Sequence, residues 1–337
     1  MRNIYDLTIK ELEDYFISIN EKKFRAVQVY EALYKRRIKS FDDMTNISKE
    51  VREKLKQDFS FYKIKMLIKQ QGKNVNKYLF ELEDGNKIES VLMFHDYGTS
   101  ICVSSQVGCN MTCAFCESGR LKKVRNLLAY EIVQQILQIE EDINKRITHV
   151  VLMGIGEPFD NYDNVLRFVK IINCGQGIDI GSRHITISTC GVIPGIKKFM
   201  NEEGQVNLAI SLHAPNNTLR SRIMPINKAY PLNELMETIK EYINKTNRRV
   251  TFEYIMLDNV NDSEENAKEL AILLKGINCY VNLIPYNETE NIEFKRTKEW
   301  KIMKFYDILK KNKINVTIRK EFGGSVDAAC GQLRANN

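Results

Sequence analysis

From residue 129 onward the chain alternates between short, apolar, often β-branched runs and longer segments with apolar residues at helical spacing. Runs at 150–153, 184–188, 207–212, 250–255, 280–284 and 316–318 read as strands, and segments at 129–139, 165–172, 232–243, 264–274 and 299–309 read as helices. Strands separated by helices pair in parallel through crossovers, so the pattern predicts an α/β protein built on a parallel sheet. Polar residues follow the runs: Gly154-Ile155-Gly156-Glu157-Pro158, then Ser188-Thr189, then His213, then Asn287. In a βα barrel all of these open onto the C-terminal rim, where reactive groups from different strands converge.

The first third follows other rules. Over residues 7–58, Leu12, Tyr15, Phe16 and Ile19 recur at helical spacing, and Thr8 and Ser48 stand where N-caps belong. Between Tyr62 and Ser105 the pattern turns to short alternating runs at 77–82 and 88–93, separated by Asp84-Gly85, a strong hairpin signal, and it leads into a strand at 101–104. The expected organisation is a helical unit over 1–60, a β-hairpin connection over 61–98 and a barrel over 99–337, with no internal repeat.

Composition narrows the class. A hydrophobic content of 43% supplies a sizeable core, and no uninterrupted apolar stretch approaches the roughly 20 residues that span a bilayer. The opening Met1-Arg2-Asn3-Ile4-Tyr5-Asp6 lacks the apolar core and cleavage site of a signal peptide, so a cytoplasmic location is expected, with no membrane partner. A net charge of +7 permits a polyanionic partner without demanding one. Basic clusters occur at Lys22-Lys23-Phe24-Arg25, Lys35-Arg36-Arg37, Lys122-Lys123-Val124-Arg125 and Arg248-Arg249, although each alone reads as a solvated face.

The chain has eight cysteines, and three stand in one short loop, Cys109-x-x-x-Cys113-x-x-Cys116, just after a strand. In a reducing compartment such crowding points to metal binding rather than disulfides. Three soft thiolates suit an iron-sulfur cluster or zinc, while uncoordinated core cysteines are the plain alternative. Structural zinc takes four ligands, usually in paired C-x-x-C form, and no second pair is present; three ligands instead leave one iron of a cubane open to a substrate.

Together the cysteine loop, Gly156-Glu157-Pro158 and the barrel alternation resemble the radical S-adenosylmethionine (SAM) superfamily. More narrowly, the chain resembles the RlmN-type adenine-C2 methyltransferases of the RlmN/Cfr family. That likeness runs the length of the chain. It includes Cys102-Val103-Ser104-Ser105-Gln106-Val107-Gly108-Cys109, Met153-Gly154-Ile155-Gly156-Glu157-Pro158, Ser211-Leu212-His213-Ala214-Pro215-Asn216, Met224-Pro225-Ile226-Asn227 and Asp327-Ala328-Ala329-Cys330-Gly331-Gln332-Leu333. Glu117 after Cys116 departs from the small residue commoner there.

The resemblance implies a partial (β/α)6 barrel, a [4Fe-4S] cluster on Cys109, Cys113 and Cys116, and two SAM molecules per turnover. Gly156, Glu157, Ser188, Ser211, Leu212, His213 and Asn287 would bind SAM. Adenine C2 is an electron-poor carbon that cannot attack a methyl sulfonium, so the methyl must arrive covalently from the protein. In the family, one SAM methylates a thiolate that corresponds to Cys330. The second is split reductively, and the 5′-deoxyadenosyl radical takes a hydrogen from that methyl group, which then adds to C2. Glu89 falls at the position of the base that removes the C2 proton, and Cys102 at that of the thiol that frees the product by disulfide formation with Cys330. Read alone, Cys102 and Cys330 would be buried small hydrophobes, and Glu89 a solvent-facing strand residue. Cys174, Cys190 and Cys279 match no motif and read as core.

The implied partners are 23S rRNA and tRNA, together with a reductant such as flavodoxin or ferredoxin, acting on a monomer. Recognition should rest on RNA shape and phosphate contacts, from the basic N-terminal region and the loop at 122–125. Pro158 and Ala214-Pro215-Asn216 resemble the C2 enzymes rather than the C8-methylating Cfr branch. A non-catalytic iron-sulfur or zinc RNA-binding module would explain the cysteine loop but not Cys102, Cys330 or the rim residues.

Overall fold

The computed structural model describes residues 1–289, 291–319 and 331–333. The N-terminal unit holds α1 (Ile9–Ser18), α2 (Phe24–Tyr34) and α3 (Lys49–Asp58). Thr8 opens α1 with a capping box: its hydroxyl accepts from Glu11 N at 3.3 Å, while the Glu11 carboxylate accepts from Thr8 N at 2.9 Å. Ser48 likewise accepts from Val51 N to start α3. Both caps stand where the sequence puts them. A short parallel pair, Arg2–Asn3 with Phe59–Ser60, closes the unit. Its apolar residues merge with those of the barrel in one continuous core, and Arg167 binds Glu11 across the junction.

A ten-stranded sheet follows, hydrogen-bonded in chain order. Its first four strands, β1 (Lys65–Gly72), β2 (Val75–Glu81), β3 (Lys87–His95) and β4 (Gly98–Cys102), form an antiparallel meander. At the expected hairpin Gly85 takes φ +78° and donates to Leu82 O at 3.0 Å. From β4 onward every pairing is parallel, through β5 (His149–Leu152), β6 (Ile185–Thr189), β7 (Asn207–Ser211), β8 (Val250–Met256), β9 (Cys279–Pro285) and β10 (Val316–Ile318). Strands β4 to β9 make the six βα units of a partial barrel, and β10 is a seventh parallel strand at the open edge. The meander continues the barrel sheet edge to edge.

The helices beside the sheet are α4 (Ala129–Ile143), α5 (Tyr162–Asn173), α6 (Ile193–Phe199), α7 (Asn217–Ile223), α8 (Leu232–Thr246), α9 (Glu264–Leu273) and α10 (Glu299–Lys311). No described helix is long and apolar enough to cross a membrane. One sheet face carries Val150, Leu152, Ile187, Ile210, Phe252 and Val281, all fully buried in the main apolar core. The period of two then sends Ser188, Ser211, Glu253, Ile255 and Ile284 to the opposite, inner face. There the site is built.

Candidate active site

An open cavity of about 830 Å³ occupies the inner face at the C-terminal ends of β5 to β9. Its wall contains Cys109, Cys113 and Cys116 together with Gly156, Glu157, Ser188, Ser211 and His213. Residues more than a hundred positions apart thus share one space. Leu212 and Asn287 are not in that wall: Leu212 is buried with its amide on Glu253 O at 3.1 Å, and Asn287 is half-buried just after β9. Sequence reading missed Met111, Ser118, Cys190, Glu253 and Arg319, which also line the cavity.

The cysteine loop starts with a turn only glycine can make. Gly108 has φ +73°, and a Cβ there would lie 2.3 Å from Lys122 O. Cys109 N then donates to Leu121 O at 2.9 Å, and Cys116 N to Cys113 O at 3.1 Å. Burial pushes the Cys109 thiol up to about 12, and burial raises Cys113 well above the usual thiol range, with the charges of Cys116 and Cys109 adding to the shift. Burial and the charges of the neighbouring thiols both disfavour the thiolate form here. Among the described residues no three His, Cys, Asp or Glu side chains already converge in metal-ligating geometry. The fit to a cationic cluster rests on the donor set: three soft ligands from one loop face one cavity, and a bound cation would offset both burial and mutual repulsion.

Residues 331–333 are pinned to this loop. Glu117 N donates to Gly331 O at 2.7 Å and Ser118 Oγ to Leu333 O at 2.6 Å, while Gly331 itself is part of the cavity wall. Leu333 shares a small apolar cluster with Cys102, Ile155, Val91 and Met93. Cys330 lies outside the described residues. Glu89, on β3, is buried, with Lys77 Nζ 3.1 Å from its carboxylate. Its carbonyl accepts from Ser104 Oγ at 2.6 Å, and the same hydroxyl accepts from Ile155 N at 3.0 Å, which ties β3 to the Gly156-Glu157 segment.

Glu157 is fixed by three bonds. Its amide donates to Gln106 Oε1 at 2.9 Å, its Oε1 accepts from Phe159 N at 3.0 Å, and its Oε2 accepts from Cys190 N at 2.8 Å. Burial raises the carboxyl, against the lowering effect of the Cys190 amide. The Cys190 side chain is buried, as the sequence suggests, but at the cavity rather than in the main core. His213 takes φ +56° and sets its Nδ1 to accept from Ile255 N at 3.0 Å. Burial, and secondarily the charge of Arg220, depress its pKa to about 3, so the ring is neutral with its proton on Nε2. Its edge meets Phe115 of the cysteine loop, with centroids 4.8 Å apart.

Two basic segments differ in what they leave exposed. In the loop at 122–125, Arg125 is committed internally: it forks onto Glu131 with two 2.8 Å bonds and reaches Asp84 at 2.6 Å, while Lys123 pairs with Asp160 at 2.7 Å. Of that loop's basic side chains, Lys122 is the exposed one. The expectation that the whole loop meets phosphates therefore narrows to Lys122, because carboxylates from α4, the hairpin and the Glu157 segment have claimed the rest. Lys22, Lys23, Lys35 and Arg36 of the N-terminal unit are exposed.

Three cysteines on one loop, facing a Gly-Glu-Pro segment across the rim of a partial βα barrel, define a radical SAM enzyme, and residues 103–271 match the radical SAM superfamily. Residues 2–60 match the family described as the ribosomal RNA large subunit methyltransferase N-terminal domain. A "probable dual-specificity RNA methyltransferase RlmN" of Spiroplasma citri is 54% identical over 341 residues, covering 100% of this chain and 98% of its own. The protein of the same name from Streptococcus thermophilus is 55% identical, over 99% of this chain and 88% of its own. A crystal structure of a radical SAM methyltransferase from Sphaerobacter thermophilus superposes with a TM-score of 0.94 at 41% identity, covering 100% of both chains. The chain belongs to the RlmN family.

Proposed function

We propose that this chain transfers a methyl group to carbon C2 of adenine in RNA, acting on the peptidyl-transferase-centre adenosine of 23S rRNA and on the adenosine beside the tRNA anticodon. The observation that carries this reading is the single cavity whose wall joins the thiols of Cys109, Cys113 and Cys116, the Glu157 carboxylate and Gly331. Cys109, Cys113 and Cys116 would hold a [4Fe-4S] cluster, which would supply the one-electron reduction that makes SAM a hydrogen-abstracting reagent. Gly156, Glu157, Ser188, Ser211 and His213 line the SAM site, with Leu212 and Asn287 contributing from its margin. Neutral His213 offers a donor at Nε2, and Glu157 offers acceptor lone pairs to the SAM ammonium.

In this scheme Cys330 carries the methyl group, which a first SAM delivers and a second activates. Covalent attachment divides one inaccessible step into accessible ones. Cys102 then releases the product by joining Cys330 in a disulfide; its packing against Leu333, three positions beyond Cys330, supports that role. Glu89 takes the C2 proton, and its tie through Ser104 to Ile155 supports a place beside the reacting groups. Residues 1–60 form an RNA-contacting accessory unit in which Lys22 and Lys23 meet phosphate, 61–98 connect it, and 99–337 form the catalytic barrel. The setting is the cytoplasm, the chain acts as a monomer, and a flavodoxin or ferredoxin delivers the electron.

Anaerobic reconstitution with iron and sulfide tests the assignment. Charge-transfer absorption and reductant-dependent release of 5′-deoxyadenosine are expected, both lost in Cys113→Ala. A colourless protein that binds zinc instead would overturn it.

A further inference from the structure

The opposite end of the barrel carries a second concave surface. An open basin of about 1800 Å³ sits at the N-terminal ends of β6, β7 and β8, and its wall holds Arg183, Lys245, Arg248 and Arg249. Arg183 precedes β6, Lys245 stands in the last turn of α8, and the other two lead into β8. Each cation is held by a neutral partner. Arg183 Nε donates to Gln205 Oε1, Lys245 Nζ to Asn201 Oδ1, and Arg248 Nη1 to Val206 O at 3.0 Å. The Arg248 guanidinium also lies over Phe199 and Tyr242, 5.4 and 5.2 Å from their ring centroids, and Arg249 lies 5.1 Å over Tyr280. Such contacts order a side chain without cancelling its charge. Elsewhere carboxylates do cancel it: Glu140 meets Arg37, Glu131 meets Arg125 and Glu11 meets Arg167. Among the described residues none of the four basin cations is paired with a carboxylate. Glu202, the one acid of that wall among the described residues, is engaged from α5, where Tyr162 Oη donates to its Oε1 at 3.3 Å and Lys170 Nζ stands 3.9 Å from its Oε2.

Ordered, uncompensated cations on one concave surface concentrate anions there. From β6 to β8 the basin spans two strand spacings, about 10 Å, so it is wider than one phosphate and suits several along a backbone. Its place in the fold says which backbone. Strand β8 separates the basin from the rim where Cys109, Cys113 and Cys116 gather, and its seven residues set the two ends about 20 Å apart. A nucleotide whose base enters the catalytic cavity cannot also fill the basin, whereas a separate segment of a folded RNA can. An electron donor must dock beside the thiols, at the other end, so it does not fit here. We propose that the basin binds the phosphate backbone of the RNA substrate at a segment distant from the target adenine. Arg248-Arg249, a solvated face when read alone, thereby gains a role. This inference rests on the reading above that the chain acts on structured RNA.

Filter-binding titrations across a salt series, with cluster-reconstituted protein, compare two RNAs: the folded 23S rRNA domain around the target adenosine, and a short stem-loop that carries that adenosine alone. The double variant Arg183→Gln, Arg249→Gln changes two exposed side chains. It should bind the domain about tenfold more weakly than wild type at about 0.1 M salt, and its plot of log affinity against log salt should be shallower by about 1.5, as two lost phosphate contacts require. Its affinity for the stem-loop should stay within about twofold of wild type. Lys245→Gln alone should flatten the slope for the domain by about half as much. Unchanged slope and affinity for the domain in both variants overturns the proposal, and so does an equal loss for both RNAs. Loss of inorganic phosphate binding in the variants while RNA affinity stands would assign the basin to a small anion, and overturns it too. Wild-type protein that binds neither RNA overturns the RNA reading itself, and the inference with it.

Discussion

Arg220 Nη2 donates to the carbonyl of Cys190 at 2.6 Å, and that bond ties the segment after β6 to α7, which follows β7. The same fully buried guanidinium reaches Leu212 O at 3.2 Å, Ser211 O at 3.3 Å and Asn227 Oδ1 at 3.0 Å. It spends its charge on neutral acceptors, and burial lowers its pKa. Ser188, Ser211 and His213 keep their positions around the cavity because this fork holds their segments together.

Arg220→Met should therefore strand several buried carbonyls and cost about 3 kcal/mol. Arg220→Lys keeps a charge but loses the planar fork, and about 2 kcal/mol is expected to go with it. Urea unfolding of both variants checks this; wild-type stability in either would mean that the fork does not hold the site.

His213 gives a pH signature. Its folded pKa of about 3 lies below the ordinary histidine value of 6.5, so its contribution to stability is complete above 6.5. As pH falls from 6.5 toward 3 the unfolded chain takes up a proton that the folded chain refuses, and stability drops. Glu157 and Glu253, raised by burial, act in the opposite sense, so the measurement is a difference between wild type and a variant. His213→Asn, whose Oδ1 can still accept from Ile255 N, should lose close to one proton of uptake on unfolding at pH 5. Equal uptake in the two proteins would show that His213 titrates normally.

Gly156 sits at φ +107°, and a Cβ there would lie 2.6 Å from the Gln106 side chain, whose Oε1 accepts from Glu157 N. Gly156→Ala should therefore cost about 3 kcal/mol from backbone strain and overpacking together, and should weaken SAM binding by displacing Glu157. Thermal melting and equilibrium dialysis read the two effects separately.

Cys102→Ala should accumulate a nuclease-sensitive covalent adduct between protein and RNA, because the thiol that frees the product is gone. Cys330→Ala should abolish methyl transfer while the cluster still assembles. Intact-protein mass spectrometry reads the first, and absorption with product analysis reads the second. A Cys330→Ala protein that still methylates RNA removes that residue from the scheme.

Local signals carried much of this site into the sequence. The crossover pattern, the Asp84-Gly85 turn, the Thr8 and Ser48 caps and the crowding of Cys109, Cys113 and Cys116 act over a few residues, so spacing alone reveals them. Helices α6 and α7 have seven residues each, too few to develop a periodic apolar face, and Pro194 and Gly195 inside α6 read as loop. Strand β1 is largely exposed and polar, as an edge strand can be. Arg220 and Glu253 were missed for a different reason: a charge in the sequence reads as surface, and only backbone carbonyls and a rung brought in from distant segments make burial tolerable. A lone carboxylate inside the apolar run Val250-Thr251-Phe252-Glu253-Tyr254-Ile255 was the available signal, since a central parallel strand has both faces covered.

The most direct measurement incubates the cluster-loaded protein with SAM, a one-electron reductant and adenosine-containing 23S rRNA fragments or tRNA, then digests the RNA and identifies the methylated nucleoside by mass spectrometry. The expected product is 2-methyladenosine, formed only when Cys109, Cys113 and Cys116 are intact. Methyl on C8, or unmethylated RNA alongside steady release of 5′-deoxyadenosine, would contradict it.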